Sequence, residues 1–205
     1  MKTELYNIKK NIDEILKGKY TIDNWGEKII FNEEAGEYVY LSNASSGQQE
    51  AIRILQDIFM NILDKIKVLR ILEEPEAHLF PVAQKQMIEL LALMINTNSD
   101  NQLVVTTHSP YVLTVFNNLL FAKRVVDKNT STTAEVNKII PEKYWIDLND
   151  FSAYSLGNNS GDYCELIVDT STQLIEQNYL DDVSDMLGAD FNALYNIHSK
   201  TFART

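Results

Sequence analysis

The chain has little with which to cross-link itself. Of its 205 residues only Cys164 is a cysteine, which excludes an internal disulfide and fits a reducing compartment. Metal-binding side chains are as sparse: the histidines stand apart at 78, 108 and 198, and no CxxC or His/Cys cluster suggests structural zinc. Basic charge is short too, with 18 Lys and Arg against 29 Asp and Glu, a formal net charge of −11. That balance argues against a general nucleic-acid coat, because phosphate binding needs a basic surface; it leaves a local basic patch open. No apolar run approaches the length of a membrane span. The N-terminal MKTELYNIKKNIDEIL mixes charges through its apolar residues, unlike a signal peptide. The expectation is a soluble, cytoplasmic protein.

What is present is ordinarily globular: 45% hydrophobic and 23% charged. The length fits one domain, or one domain with an appendage. Leu5, Ile8, Ile12, Ile15 and Leu16 recur at helical spacing over residues 4–17. Three β-rich runs near 19–23, 27–32 and 37–41, separated by NWG and NEEAG, predict an antiparallel meander. The helical period returns from Gln48 to Ile66, with Ile52, Leu55, Phe59 and Ile62 on one face.

KVLRIL then reads as a buried strand ending at Glu73, and PVAQKQMIELLALMI as a helix with Pro81 in its first turn. NQLVVTTHSP is a second strand and YVLTVFNNLL a further helix. The order strand, helix, strand, helix predicts parallel pairing, with ligands beyond the carboxyl ends of the strands. After that, 121–140 reads as two strands joined by a polar turn, LGNNSG as a loop, and 162–177 and 181–197 as helices. The expected division is 1–127 as the main lobe and 128–205 as a mixed, mainly helical appendage. Cys164, with no basic residue or histidine nearby to activate it, reads as structural.

Three stretches carry chemistry. In LSNASSGQQE, Ser45 or Ser46 suits an N-cap, and Gln48 or Gln49 could close a capping box. The same helix start, with its free N–H groups and dipole, suits an anion such as phosphate. In ILEEPEAHLFP, Glu73 and Glu74 leave a strand end together. They suit a solvated acidic loop, or Mg²⁺ held by one carboxylate while the other polarises a water. In VVTTHSP, His108 stands at a strand end where it could meet a phosphate or a water. Thr107 and Ser109 equally suit a local turn in which His108 is incidental.

Taken in order, these stretches resemble the C-terminal half of an ABC-type ATPase head, a P-loop fold. SSGQQ occupies the place of the signature motif, with Ser45, Gly47 and Gln48 matching its serine, second glycine and glutamine. VLRILEE matches the Walker B strand, EAHLF the D-loop position, and His108 the switch histidine. The wording SSGQQ…EEPEAHLFP…TTHSPY is most similar to the RecF/OLD-like ATPases, a group of putative AAA ATPases, over roughly residues 35 to 125. The resemblance implies ATP and Mg²⁺ as cofactors. Glu73, where the family commonly has aspartate, would hold Mg²⁺ through water. Glu74 would act as general base, and His108 would contact the γ-phosphate. Ser45, Ser46, Gly47 and Gln48 would grip a nucleotide carried by another subunit. Members of this group work in DNA repair and phage defence, a setting to which the acidic composition adds no support.

The match has a gap. None of the seven glycines begins a GxxxxGK[ST] loop, so the N–H cradle and lysine for the β- and γ-phosphates are missing. Phe80 also replaces a common histidine before Pro81. The expectation is therefore the signature/Walker B half of a dimeric ATPase, completed by a Walker A-bearing half. It would be a fragment, a split subunit or a degenerate relative, and the chain alone would bind ATP weakly with negligible turnover. The alternative is a non-catalytic interaction module. A third reading, an unrelated α/β metal-dependent hydrolase using Glu73, Glu74 and His108, leaves SSGQQ unexplained.

Overall fold

The computed structural model describes residues 2–156, 163–169, 171–172, 174–176 and 188–195. Helix α1 (Lys2–Leu16) ends at Lys17, whose φ is +54°, and Gly18 N–H closes the turn on the Asp13 carbonyl at 2.9 Å. Gly18 is required there: a Cβ would stand 2.6 Å from Ile29 Cγ2 and 2.8 Å from the Ile30 carbonyl oxygen. The chain then forms the expected meander, β1 (Lys19–Asp23), β2 (Gly26–Asn32) and β3 (Glu37–Tyr40), in antiparallel order 1-2-3. Asn24 and Trp25 make the two-residue turn between Asp23 and Gly26, whose φ of +127° favours glycine. Trp25 projects at its tip, 84% exposed.

Helix α2 (Ser46–Asp64) buries Ile52, Leu55, Ile58 and Ile62 along one face. Strand β4 (Leu69–Glu73) pairs in parallel with β5 (Gln102–Thr106), from Leu69↔Gln102 to Glu73↔Thr106. Between them runs α3 (Pro81–Asn96), with Pro81 at its start and nine consecutive or near-consecutive buried residues from Ala83 to Met94. A helix apolar on nearly every side belongs at the centre of a core, and α3 packs against α1, α2 and α4 (Pro110–Lys128). These elements make a mixed α/β architecture compatible with a P-loop ATPase-like fold. Among the described residues, no helix is long and apolar enough to cross a membrane.

The parallel pair departs from the buried strands expected. Its side chains alternate: Leu72, Leu103 and Val105 pack on the core, whereas Leu69, Ile71 and Val104 are 56%, 71% and 49% exposed. One apolar face of a parallel sheet, a surface normally covered on both sides, is open.

Three further expectations are corrected. Residues 121–140 form no strand pair. Helix α4 continues to Lys128, a single 3₁₀ turn follows at Thr130–Thr132, and α5 (Thr133–Ile139) comes next. Ala122 and Val126, one helical turn apart, bury against Trp145, with Val136 and Ile140 beside them. That burial overrides the strand preference of Val125 and Val126. Residues 162–177, where described, are not helical. Strand β6 (Tyr154–Leu156) pairs antiparallel with β7 (Cys164–Leu166), and Val168 bridges Ile175. Asn117 on α4 holds that bridge by accepting from Ile175 N–H at 2.7 Å and donating to its carbonyl at 2.9 Å. Cys164 is exposed on β7, so it is not a packed structural residue. Residues 188–195 are helical, whereas most of LGNNSG and residues 181–187 and 196–197 lie outside the described residues.

Candidate functional site

The site begins where α2 begins. Ser45 Oγ accepts from Gln48 N–H at 3.3 Å, and Gln48 Oε1 accepts from Ser45 N–H at 3.1 Å, a complete capping box. Gln48 also donates through Nε2 to the Leu16 carbonyl at 2.6 Å, tying the helix start to the end of α1. Ser45 and Gln48 thus hold one another. The N–H groups of Ser46 and Gly47 make no hydrogen bond to a described residue, and helix N-termini offer such groups to anions. Ser45 and Ser46 are exposed and Gly47 is buried. A cleft of about 480 Å³ opens alongside, lined by Trp25, Tyr40, Ser42, Gln49 and Arg53; the sequence carried no sign of it.

What buries Gly47 is the loop after β4. A Cβ there would lie 2.5 Å from the His78 carbonyl oxygen and 3.0 Å from its carbon. The helix start and the acidic loop therefore touch, and only a residue without a side chain permits it. The loop itself is tightly wound. Glu74 and His78 both take left-handed backbone conformations, with φ of +45° and +60°, each a cost of about 1–2 kcal/mol for a residue with a side chain. Ala77 N–H donates to the Glu74 carbonyl at 2.8 Å and Leu79 N–H to the Glu76 carbonyl at 3.0 Å.

Glu74 remains attached to the sheet through its N–H, which donates to the Thr106 carbonyl at 2.9 Å. The next strand end supplies His108, whose Nε2 stands 3.4 Å from Glu74 Oε1. The His108 side chain is 87% exposed and the Glu74 side chain 43%, so both face solvent at the carboxyl end of the sheet. A carboxylate beside an imidazole can orient a water that bridges both from the solvent side and take its proton. Glu73, the last residue of β4, pairs with Thr106 and lies exposed on the open face. Its carboxylate bonds no described residue. Among the described residues no three His, Cys, Asp or Glu side chains group closely enough to hold a metal ion unaided. An open carboxylate at a strand end fits Mg²⁺ nonetheless, because that ion takes one or two carboxylates and fills the remaining positions with water and phosphate.

Sequence reasoning missed Glu76. Its side chain is buried, 5% exposed, in a loop that otherwise reads as solvated. Glu76 Oε1 accepts from Thr107 Oγ1, and Glu76 Oε2 is buried without a partner. Gln84 was missed as well: it accepts from Ser109 Oγ at 2.6 Å and donates to the Leu79 carbonyl at 2.9 Å. Thr107 and Ser109 do form a turn, Ser109 N–H donating to Thr107 Oγ1 at 3.0 Å, and His108 stands exposed within it. No local signal was available, because Glu76 and Thr107 stand 31 residues apart in the chain.

Comparison with known proteins bears on the same region. A family model described as "AAA ATPase domain" matches residues 1–113, from α1 through the β5 strand end and into α4. No curated protein sequence matches the chain.

Proposed function

Because the chain belongs to the AAA ATPase domain family, which spans 113 of its 205 residues, we propose that it is the signature and Walker B half of an ABC-type, RecF/OLD-like ATPase. It would sandwich ATP–Mg²⁺ with a Walker A-bearing partner and act as a nucleotide-driven switch. The observation that carries this reading is the approach of Glu74 to His108 at adjacent strand ends, 3.4 Å apart, on a loop packed against the glycine of the α2 start.

Each residue then has a task. Glu73 holds the metal's hydration shell from the open side of β4. Glu74 orients the attacking water and receives its proton. His108 donates to the terminal phosphate. Ser46 and Gly47 offer their unpartnered N–H groups to a phosphate borne by the partner, while Ser45 and Gln48 keep that helix start in shape. Bound Mg²⁺ would supply the positive charge that offsets the phosphates. The open apolar face of β4 and β5 supports a partner half, because a parallel sheet is stable when both faces are covered.

The non-catalytic interaction module remains the second reading. It is favoured by the closed capping box, which satisfies Ser45 and Gln48 without any ligand. Hydrolysis of ATP with Mg²⁺ decides between them. The isolated chain is expected to show negligible turnover. With a Walker A-bearing half supplied, turnover is expected to appear and to fall at least a hundredfold in Glu74→Gln, the usual scale of a general base. Unchanged turnover in Glu74→Gln would leave only the interaction module.

A further inference from the structure

Four contacts converge on the loop 74–80. The α2 start presses on it where Gly47 meets the His78 carbonyl. The Glu74 carboxylate, at its first residue, stands beside the His108 ring. The turn carrying His108 is tethered to the loop on both sides of the histidine. Thr107 Oγ1 donates to buried Glu76, and Ser109 Oγ reaches Gln84, which in turn holds the Leu79 carbonyl at the loop's far end. Thr107 Oγ1 also accepts from Ser109 N–H, so one hydroxyl clamps the turn and ties it down.

Burying a carboxyl oxygen with no partner is costly, and such groups call for a reason beyond packing. Here the burial forces the Glu76 side chain under the loop, where its one hydrogen bond reaches the neighbouring strand end. Left-handed backbone at Glu74 and His78 brackets the same segment, and strain of this kind persists only where surrounding contacts over-determine it. Loop and turn are therefore held as one body, seated on a glycine.

We propose that Glu76 is a positioning residue: through Thr107 it locks the His108 turn to the 74–80 loop, so that a displacement at the Gly47 helix start is transmitted to His108. The consequence rests on the functional reading above. A helix start that senses a partner's phosphate would then set the geometry of the chain's own Glu74 and His108. Signature and hydrolytic groups would be coupled within one chain.

The test needs no nucleotide, so its outcome is separate from that of the turnover measurement. In the free chain labelled on histidine rings and backbone amides, Gly47→Ala is expected to shift the nuclear magnetic resonance signals of both His78 and the His108 ring. In a Thr107→Val/Ser109→Ala background, which removes both tethers, Gly47→Ala is expected to move His78 alone. Thr107→Val by itself is expected to shift the Gly47 amide, and Thr107→Ser, which restores the hydroxyl, to return it. A His108 ring indifferent to Gly47→Ala overturns the coupling, as does a shift that persists in full without the tethers. If Gly47→Ala does not fold, the Thr107 pair decides alone: a Gly47 amide that ignores Thr107→Val overturns the proposal.

Discussion

At the residue scale, one ion pair gives the molecule a pH signature. Arg53 on α2 grips Glu27 on β2 through two hydrogen bonds, at 2.7 and 2.6 Å, and Tyr20 donates to the same carboxylate. The Arg53 guanidinium first, and the Tyr20 hydroxyl second, hold the Glu27 carboxyl at about 2 rather than its ordinary 4.5. A pKa depressed by folding stabilises the native state above the unfolded value and is lost as pH falls through the folded one. The expected outcome is a thermal midpoint that declines between pH 4.5 and about 2 more steeply in the native chain than in Glu27→Gln. Because the pair is solvent-screened, the difference at neutral pH should be about 1 kcal/mol or less. The same carboxylate also ties the meander to α2, beside the shared core that holds Ile29 and Ile52.

At the scale of single elements, α2 is the one whose beginning matters most. Ser45→Ala removes the hydroxyl that accepts from Gln48 N–H and is expected to lower stability by about 1 kcal/mol, read by urea denaturation with an unchanged slope. The start of α2 was legible in the sequence because capping is local: a serine and, three positions on, a glutamine suffice. The meander and the parallel pair were legible for the same reason, through period and turn residues. The continuation of α4 past Phe121 was not, since Val125 and Val126 read as strand until Trp145, some twenty residues on, supplies the surface that Val126 buries against. The tail at 162–177 misled in the opposite sense. Its apolar residues fit a helical period, but Asn117 of α4 captures the backbone of Ile175 and holds an extended bridge. In the site, strand ends pointed to Glu74 and His108. The burial of Glu76 depends on two left-handed residues, Glu74 and His78, that are not glycine, and so had no signature to read.

At the scale of the whole molecule, the helices gather around α3 on one side of β4 and β5, and the other side stays open. A core built on one face leaves the opposite face free to vary without unfolding the chain. Ile71→Lys, at a side chain 71% exposed, is expected to change the thermal midpoint little, within about 0.5 kcal/mol of stability, while reducing the binding of a hydrophobic dye. A large loss of stability there would mean that the face is covered within the chain itself. The two tryptophans divide the same molecule differently. Trp25 stands 84% exposed at the tip of the β1–β2 turn. Trp145 is 7% exposed against Ala122 and Val126, with its indole N–H on the Ile140 carbonyl at 2.8 Å. Fluorescence from the native chain is therefore a sum of two emitters, one open to a collisional quencher and one shielded from it. The first reports on the cleft beside the α2 start and the second on the α4–α5 packing, without any added label.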